Sequence, residues 1–360
     1  MSNQILLTVS GIIPPDRADQ ADRGQRQRAD YHVLAEVLGA DLFDVAAARQ
    51  ATGMFGRLLE RIAGQHLLLA WATFQQRRHY QLIFSDGEQI GLPLALLLKM
   101  VAWLQPKRPR HMMIAHVLSV PKKMVFLDLF KIQSHIDTFL VYASAQKQFI
   151  EQRWKLPSER VVLTPFMVDT TFFRPDAVVP TPRERPMICS VGLERRDYPT
   201  LMRAVADLPV DVMILAASPW SRRTDGTEGQ ALPANVRLQK FNQCEPRQLY
   251  ADSTFLVMPL QPVDFQAGVT VILEALAMER PVICSRIPGQ TDVIVEGQHG
   301  LYVTPSDPAA LRVAIEYLLA HPDQCTNMGR NGRRLVEQQM SLEVYAAGLA
   351  REAQKLLEAV

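Results

Sequence analysis

Cysteine is scarce in this chain: four in 360 residues, at positions 189, 244, 284 and 325. They form no Cys-x-x-Cys pair and no His/Cys cluster, which excludes a zinc ribbon and a disulfide framework and leaves reduced thiols, the usage of a cytoplasmic protein. No run of about 18 apolar residues occurs, so no membrane-crossing helix is expected. The start, Met1-Ser2-Asn3-Gln4, lacks the basic segment and apolar stretch of a signal peptide. The expected location is therefore cytoplasmic, with the inner membrane surface as the place of any membrane contact. There is no short-period repeat and no low-complexity tract. A net charge of only +2 gives no reason to expect a nucleic-acid partner.

What is present reads as a soluble globular protein, with 48% apolar and 21% charged residues. The length allows two domains, each with its own core. Charge is uneven: residues 1–175 hold 21 Lys and Arg against 15 Asp and Glu, and the remainder hold 18 against 22. A basic first half suits an anionic partner; solvated charge is the plainer account. Strand-like runs at Ile5–Val9, Leu82–Phe84, Met112–Ala115, Thr138–Tyr142, Val161–Leu163, Met187–Val191, Val212–Ala216, Thr254–Met258 and Pro281–Cys284 alternate with helical patterns. The helices expected between them include Leu92–Leu104, Ala143–Trp154, Pro199–Ala206 and Val269–Met278. That alternation predicts α/β architecture with parallel sheets covered by helices. The proline-rich stretch 175–186 reads as a linker between domains 1–174 and 187–340, and 341–360 as a terminal helix.

The segment Asp264–Pro281, DFQAGVTVILEALAMERP, carries the most chemistry. It follows a strand and places Gly268 at the start of an apolar helix, whose free amides and positive dipole end suit a diphosphate. Glu274 lies about a turn and a half along. A carboxylate on so apolar a helix needs a partner, either a ribose diol or a nearby arginine. A second constellation, Cys189–Leu201, has a strand ending at Gly192 and a helix near Pro199, with Arg195 and Arg196 in the short loop between.

These residues resemble the retaining glycosyltransferases of family 4. The likeness runs through Gln266, seven intervening residues and Glu274, then Pro281-Val282-Ile283, Gly289 to Gly297, Gly300-Leu301, Asp307 to Leu311 and Met328 to Arg333. It implies the GT-B fold: two Rossmann-like lobes with parallel sheets facing across a cleft, and a C-terminal helix crossing back to the first lobe. It further implies that Glu274 binds the donor ribose. Gly268, Val269 and Thr270 then meet the diphosphate and sugar, and Arg196 and Arg195 neutralise the leaving diphosphate. Gln266 stands where the family usually has a glutamate touching the donor sugar. Lys240 and Phe241 fall beside the nucleobase, Gly11 at the turn approaching the diphosphate, and His116 beside the sugar. The shortened arginine loop and Pro165-Phe166-Met167, in place of the usual Pro-Asn-Gly before Val168–Pro175, depart from the family pattern.

The implied activity is retaining transfer from a nucleoside-diphosphate sugar, UDP favoured over GDP, to an acceptor hydroxyl on a glycan, lipid or small molecule. No metal and no cofactor is implied, and no Asp-x-Asp tripeptide is present. Two rivals stand beside it: a non-catalytic sugar-nucleotide binder, and a GT-B enzyme of another reaction such as an epimerase. For the acceptor side, Asp86 and Glu88 follow a strand, where Asp86 suits a helix N-cap. Arg17, Arg23, Arg26 and Arg28 cluster after the first strand. The stretch Pro121–Ile132 reads either as a surface for a bilayer or lipid-linked acceptor or as a buried helix with a basic edge.

Overall fold

The computed structural model describes residues 4–103, 107–216, 232–239, 245–263 and 265–358. The chain divides into two compact units, residues 1–165 with 342–360, and residues 166–341. In the first unit, β1 (Ile5–Val9), β2 (Ala40–Asp44), β3 (Leu82–Ser85), β4 (Arg110–Ile114), β5 (Thr138–Val141) and β6 (Val161–Leu163) form one parallel sheet. Its order is β2-β1-β3-β4-β5-β6. In the second, β7 (Met187–Val191), β8 (Asp211–Leu215), β9 (Val236–Gln239), β10 (Leu256–Met258), β11 (Val282–Ser285) and β12 (Gly300–Val303) form another, ordered β12-β11-β10-β7-β8-β9. The central strands are buried along their whole length, as strands covered by helices on both faces must be.

Each sheet reverses its winding once, between β1 and β3 in the first unit and between β7 and β10 in the second. Outside the carboxyl ends of the strands at such a reversal, the flanking loops splay apart and leave room for a ligand. Gly11 and Asp86 follow β1 and β3 at the first, and Arg195, Arg196 and Gly268 follow β7 and β10 at the second.

Two boundaries differ from expectation. The stretch 175–186 belongs to the second unit, which begins at Phe166. Its prolines stop regular structure without freeing the chain. The Thr181 amide donates to Asp252 (2.7 Å), Arg183 pairs with the same carboxylate (3.2 Å), and Gln248 donates to the Val179 carbonyl (3.0 Å). The helix expected at Leu92–Leu104 runs from Glu88 to Met100 and accommodates Pro93 inside it. The terminal helix, Leu342–Glu358, belongs to the first unit. There it buries Tyr345, Ala346 and Leu349, and the Tyr345 hydroxyl bonds that of Tyr142 (2.8 Å).

Candidate functional site

The β7/β10 reversal gathers the loop Gly192–Asp197 and the turn before the helix Val269–Ala277. Gly268 caps that helix at φ 76°, a left-handed backbone that glycine adopts without cost. Gly192 has φ 104°. Both glycines are also needed for space. A Cβ on Gly268 would come within 2.5 Å of the Arg196 guanidinium, and one on Gly192 within 2.6 Å. The guanidinium is therefore packed against both, and Arg196 is only 6% exposed. Its Nε donates to the Val191 carbonyl (2.9 Å) and one terminal nitrogen to the Glu194 carbonyl (2.8 Å). Among the described residues no carboxylate pairs with it, and burial lowers its pKa from the ordinary arginine value. A buried cation satisfied by carbonyl dipoles alone leaves a positive field at the start of a helix that already offers free amides.

Arg195 takes a different path. Its backbone has φ 58°, and its side chain is about one-third exposed, with Glu194 3.8 Å away. Asp197 caps the next helix through the Thr200 amide (3.2 Å) and also accepts from the Ser306 hydroxyl (2.9 Å). This fixes the far end of the arginine loop. Tyr198, fully buried, donates to the Gly192 carbonyl and fixes the near end.

On the helix itself, Val269 is buried and Thr270 exposed. Glu274, half-buried, accepts from the Tyr250 hydroxyl (2.8 Å). Burial pushes its carboxyl up to about 7, and the tyrosine bond offsets only part of that. Among the described residues nothing else bonds Glu274, and of the two partners expected for it no arginine pairs with it there. Tyr250 had no role assigned; it is fully buried, and a buried tyrosine hydroxyl must find a partner.

Gln266 is half-buried in the turn before Gly268. Two residues without an assigned role shape that turn. Gln290, fully buried, donates to the Ala267 carbonyl, while its own Oε1 has no donor. Gly289 lies so close to the backbone of Phe265 and Gln266 that no side chain fits there. Ser285 ties the ends of β10 and β11 by accepting from the Leu260 amide (2.9 Å). Lys240 and Phe241 lie outside the described residues, as does Cys244.

At the β1/β3 reversal of the first unit, Gly11 is exposed and nothing within 4 Å crowds a Cβ there, so packing does not demand a glycine. Asp86 is not an N-cap. It reaches across the sheet to accept from the Ser10 amide (2.7 Å) and the Thr8 hydroxyl (3.3 Å), and burial pushes its carboxyl up to about 6. The residue before the helix is Gly87, so the cap position carries no side chain. Glu88 is 1% exposed and accepts from Lys123 (2.5 Å) and the His116 amide (2.9 Å). Those donors hold its carboxyl below the usual glutamate value. His116 is exposed, 3.4 Å from the Asp86 carbonyl and beside the Tyr142 ring. The helix Pro121–Asp128 buries only Leu127, so the buried-helix account of that stretch does not hold. Of the early arginines, Arg28 pairs with Glu343 (2.6 Å).

Among the described residues no group of His, Cys, Asp and Glu is arranged to hold a metal ion, and no helix is long and apolar enough to cross a membrane.

Residues 194–321, from the arginine loop through the Glu274 helix, match the family described as glycosyl transferases group 1. The capsular polysaccharide biosynthesis glycosyltransferase CapM of Staphylococcus aureus is 31% identical over 100 residues, 28% of this chain and 26% of that protein. The lipopolysaccharide core biosynthesis glycosyltransferase LpsE of Rhizobium meliloti is 28% identical over 172 residues, 46% of this chain and 49% of that protein. The chain thus spans about half or less of the length of these relatives. Among solved structures, Anabaena HepE in complex with UDP-glucose superposes with a TM-score of 0.69 at 14% identity, covering 98% of this chain and 99% of that one. The two six-stranded parallel sheets with their helices are the GT-B fold.

Proposed function

We propose that this GT-B protein is a retaining glycosyltransferase that takes a sugar from a nucleoside-diphosphate sugar, most simply a UDP-sugar, and passes it to an acceptor hydroxyl. The observation that carries the reading is the Arg196 guanidinium, buried between Gly192 and Gly268 at the start of the Val269–Ala277 helix with no carboxylate partner among the described residues. An anion at that helix start gains the free amides, the helix dipole and the arginine field together. Glu274, a turn and a half along, has one oxygen bonded to Tyr250 and, among the described residues, no second partner, which suits a ribose diol. The family match over 194–321 and the UDP-glucose bound in HepE support the same donor class.

In the proposed reaction the bond from the sugar anomeric carbon to the diphosphate oxygen breaks, and its electron pair leaves with the diphosphate. The acceptor oxygen bonds to that carbon on the same face, and its proton passes to a phosphate oxygen. Arg196 and the helix amides stabilise the charge that builds on the leaving group, and Arg195 adds to that field from the loop's outer side. Gln266, Thr270 and Val269 border the sugar end.

A panel of UDP-, GDP- and ADP-sugars, assayed for release of the nucleoside diphosphate with and without candidate acceptors, tests this. Turnover of at least one UDP-sugar, abolished by Arg196→Ala, is the expected result. Nucleotide binding without turnover of any donor favours the non-catalytic binder. Formation of a new free nucleotide sugar favours an epimerase.

A further inference from the structure

The most exposed apolar stripe among the described helices lies far in sequence from either strand reversal's named residues. The helical stretch Val45–Ala63 is broken at Gly53, whose backbone (φ 57°, ψ −136°) is not helical, and it ends at Gly64 (φ 84°). Residues 54–63 between these glycines form a separate piece of about 15 Å. On it Met54 is 84% exposed, Ile62 76%, and Phe55 and Leu58 56% each. At about 100° per residue these four fall within one arc of about a quarter of the circumference. Gly56 lies on the opposite side, buried, and a side chain there would meet Leu68 of the helix Gln65–Gln76. The piece is therefore seated by its glycine face, and the apolar stripe is turned outward.

Charge borders the stripe. Arg57 and Arg61 fall along one edge of the arc, both exposed and, among the described residues, neither paired with a carboxylate. The single acid on the piece, Glu60, is taken up by Arg49 through two bonds (2.9 and 2.5 Å). The outward face thus presents four exposed apolar side chains, of which Phe55 also lies against the Trp71 ring (centroids 5.8 Å), and two guanidinium groups with no carboxylate partner among the described residues. A soluble surface gains nothing from such an arrangement, whereas a lipid interface uses both parts. Apolar side chains enter the acyl boundary, and arginines reach back to anionic headgroups.

We infer that residues 54–63 form an in-plane anchor that docks the first unit on an anionic lipid bilayer. A second copy of the chain is the weaker occupant. A stable protein interface draws on about 20–30 residues a side, and four apolar side chains supply a fraction of that. Two unpaired arginines on a two-fold contact would also face their own like charges.

The test is cosedimentation of the full chain with vesicles of phosphatidylcholine alone, and with vesicles of equal parts phosphatidylcholine and phosphatidylglycerol. The chain is expected to sediment with the anionic vesicles and to stay largely in the supernatant with the neutral ones. The triple variant Phe55→Gln, Leu58→Gln, Ile62→Gln keeps good helix formers at exposed positions. It should weaken partitioning by about 100-fold or more. The charge variant Arg57→Gln, Arg61→Gln should weaken it by about fivefold per arginine, on anionic vesicles only. Melting temperatures near that of the parent chain confirm that both variants fold. Failure of the parent chain to bind anionic vesicles overturns the inference, as does binding indifferent to both variants. A dimer seen by light scattering without lipid, and lost in the triple variant, assigns the stripe to a second copy and overturns it equally.

Discussion

At the β1/β3 reversal of the first unit, Glu88 is buried with Lys123 and two amides around it, and Asp86 sits on the Ser10 amide and the Thr8 hydroxyl. At the β7/β10 reversal of the second, among the described residues Arg196 is buried with only backbone carbonyls, and Glu274 has only a tyrosine hydroxyl. The topological device is the same, yet Glu88 at the first edge is paired with a lysine, whereas among the described residues neither Arg196 nor Glu274 at the second has a partner of opposite charge. A matched buried charge holds loops in place; an unmatched one is costly unless something arrives to match it.

Neutralising each edge in turn breaks or sharpens that contrast. The largest effect is expected from Arg196→Ala, which should lower kcat by about 10²–10³-fold with little change in the acceptor KM. Steady-state kinetics on the best donor of the panel measures it, and a loss confined to acceptor KM would remove Arg196 from the donor side. Next comes Glu88→Ala, which strands Lys123 and two amides and should cost about 3 kcal/mol of stability in denaturant unfolding. An unchanged midpoint would show that the first edge is not held by its own charges. Glu274→Ala should weaken binding of the free nucleoside diphosphate by about 1–3 kcal/mol in calorimetry. Equal affinity in the folded variant would leave Glu274 as Tyr250's partner alone.

The smallest effect is one of slope. Asp86 and Glu274 both have folded-state pKa values raised by burial, to about 6 and about 7, from 3.8 and 4.5. In each case the folded state holds a proton that the unfolded state has already released, so stability falls as pH rises through the window. Asp86→Asn should flatten the melting temperature between pH 3.8 and about 6, and Glu274→Gln between pH 4.5 and about 7. Bound nucleotide changes only the second profile if the contrast between the edges is right.

The fold was legible wherever apolar runs were long. Ile5–Val9, Val161–Leu163 and Met187–Val191 match their strands residue for residue. β2 was missed because ADLFD carries two aspartates, and one of them caps the next helix by accepting from the Ala47 amide. β12 opens on a glycine that packs against the Val282 backbone, a close approach that periodicity does not register. At the candidate site the helix start at Gly268 and the burial of Glu274 were readable, because an apolar helix with one carboxylate is conspicuous. The packing of Arg196 between two glycines was not, since it depends on loops 76 residues apart meeting at a strand reversal. For the same reason Asp86 looked like a helix cap. Its partners, Thr8 and Ser10, come from the end of a strand 78 and 76 residues earlier.

The placement of the helix Leu342–Glu358 also sets an order of events during synthesis. Residues 166–341 emerge from the ribosome as a contiguous stretch holding their whole sheet, and can complete their core at once. The unit begun first cannot do so. Its face awaiting Tyr345, Ala346 and Leu349 stays uncovered, and the Tyr142 hydroxyl unpaired, until the chain has been made through that last helix. The nascent chain therefore carries an exposed apolar seam for the time taken to translate an entire second unit. A ribosome-bound chaperone has its longest opportunity there, on the half of the protein that looks finished by sequence order.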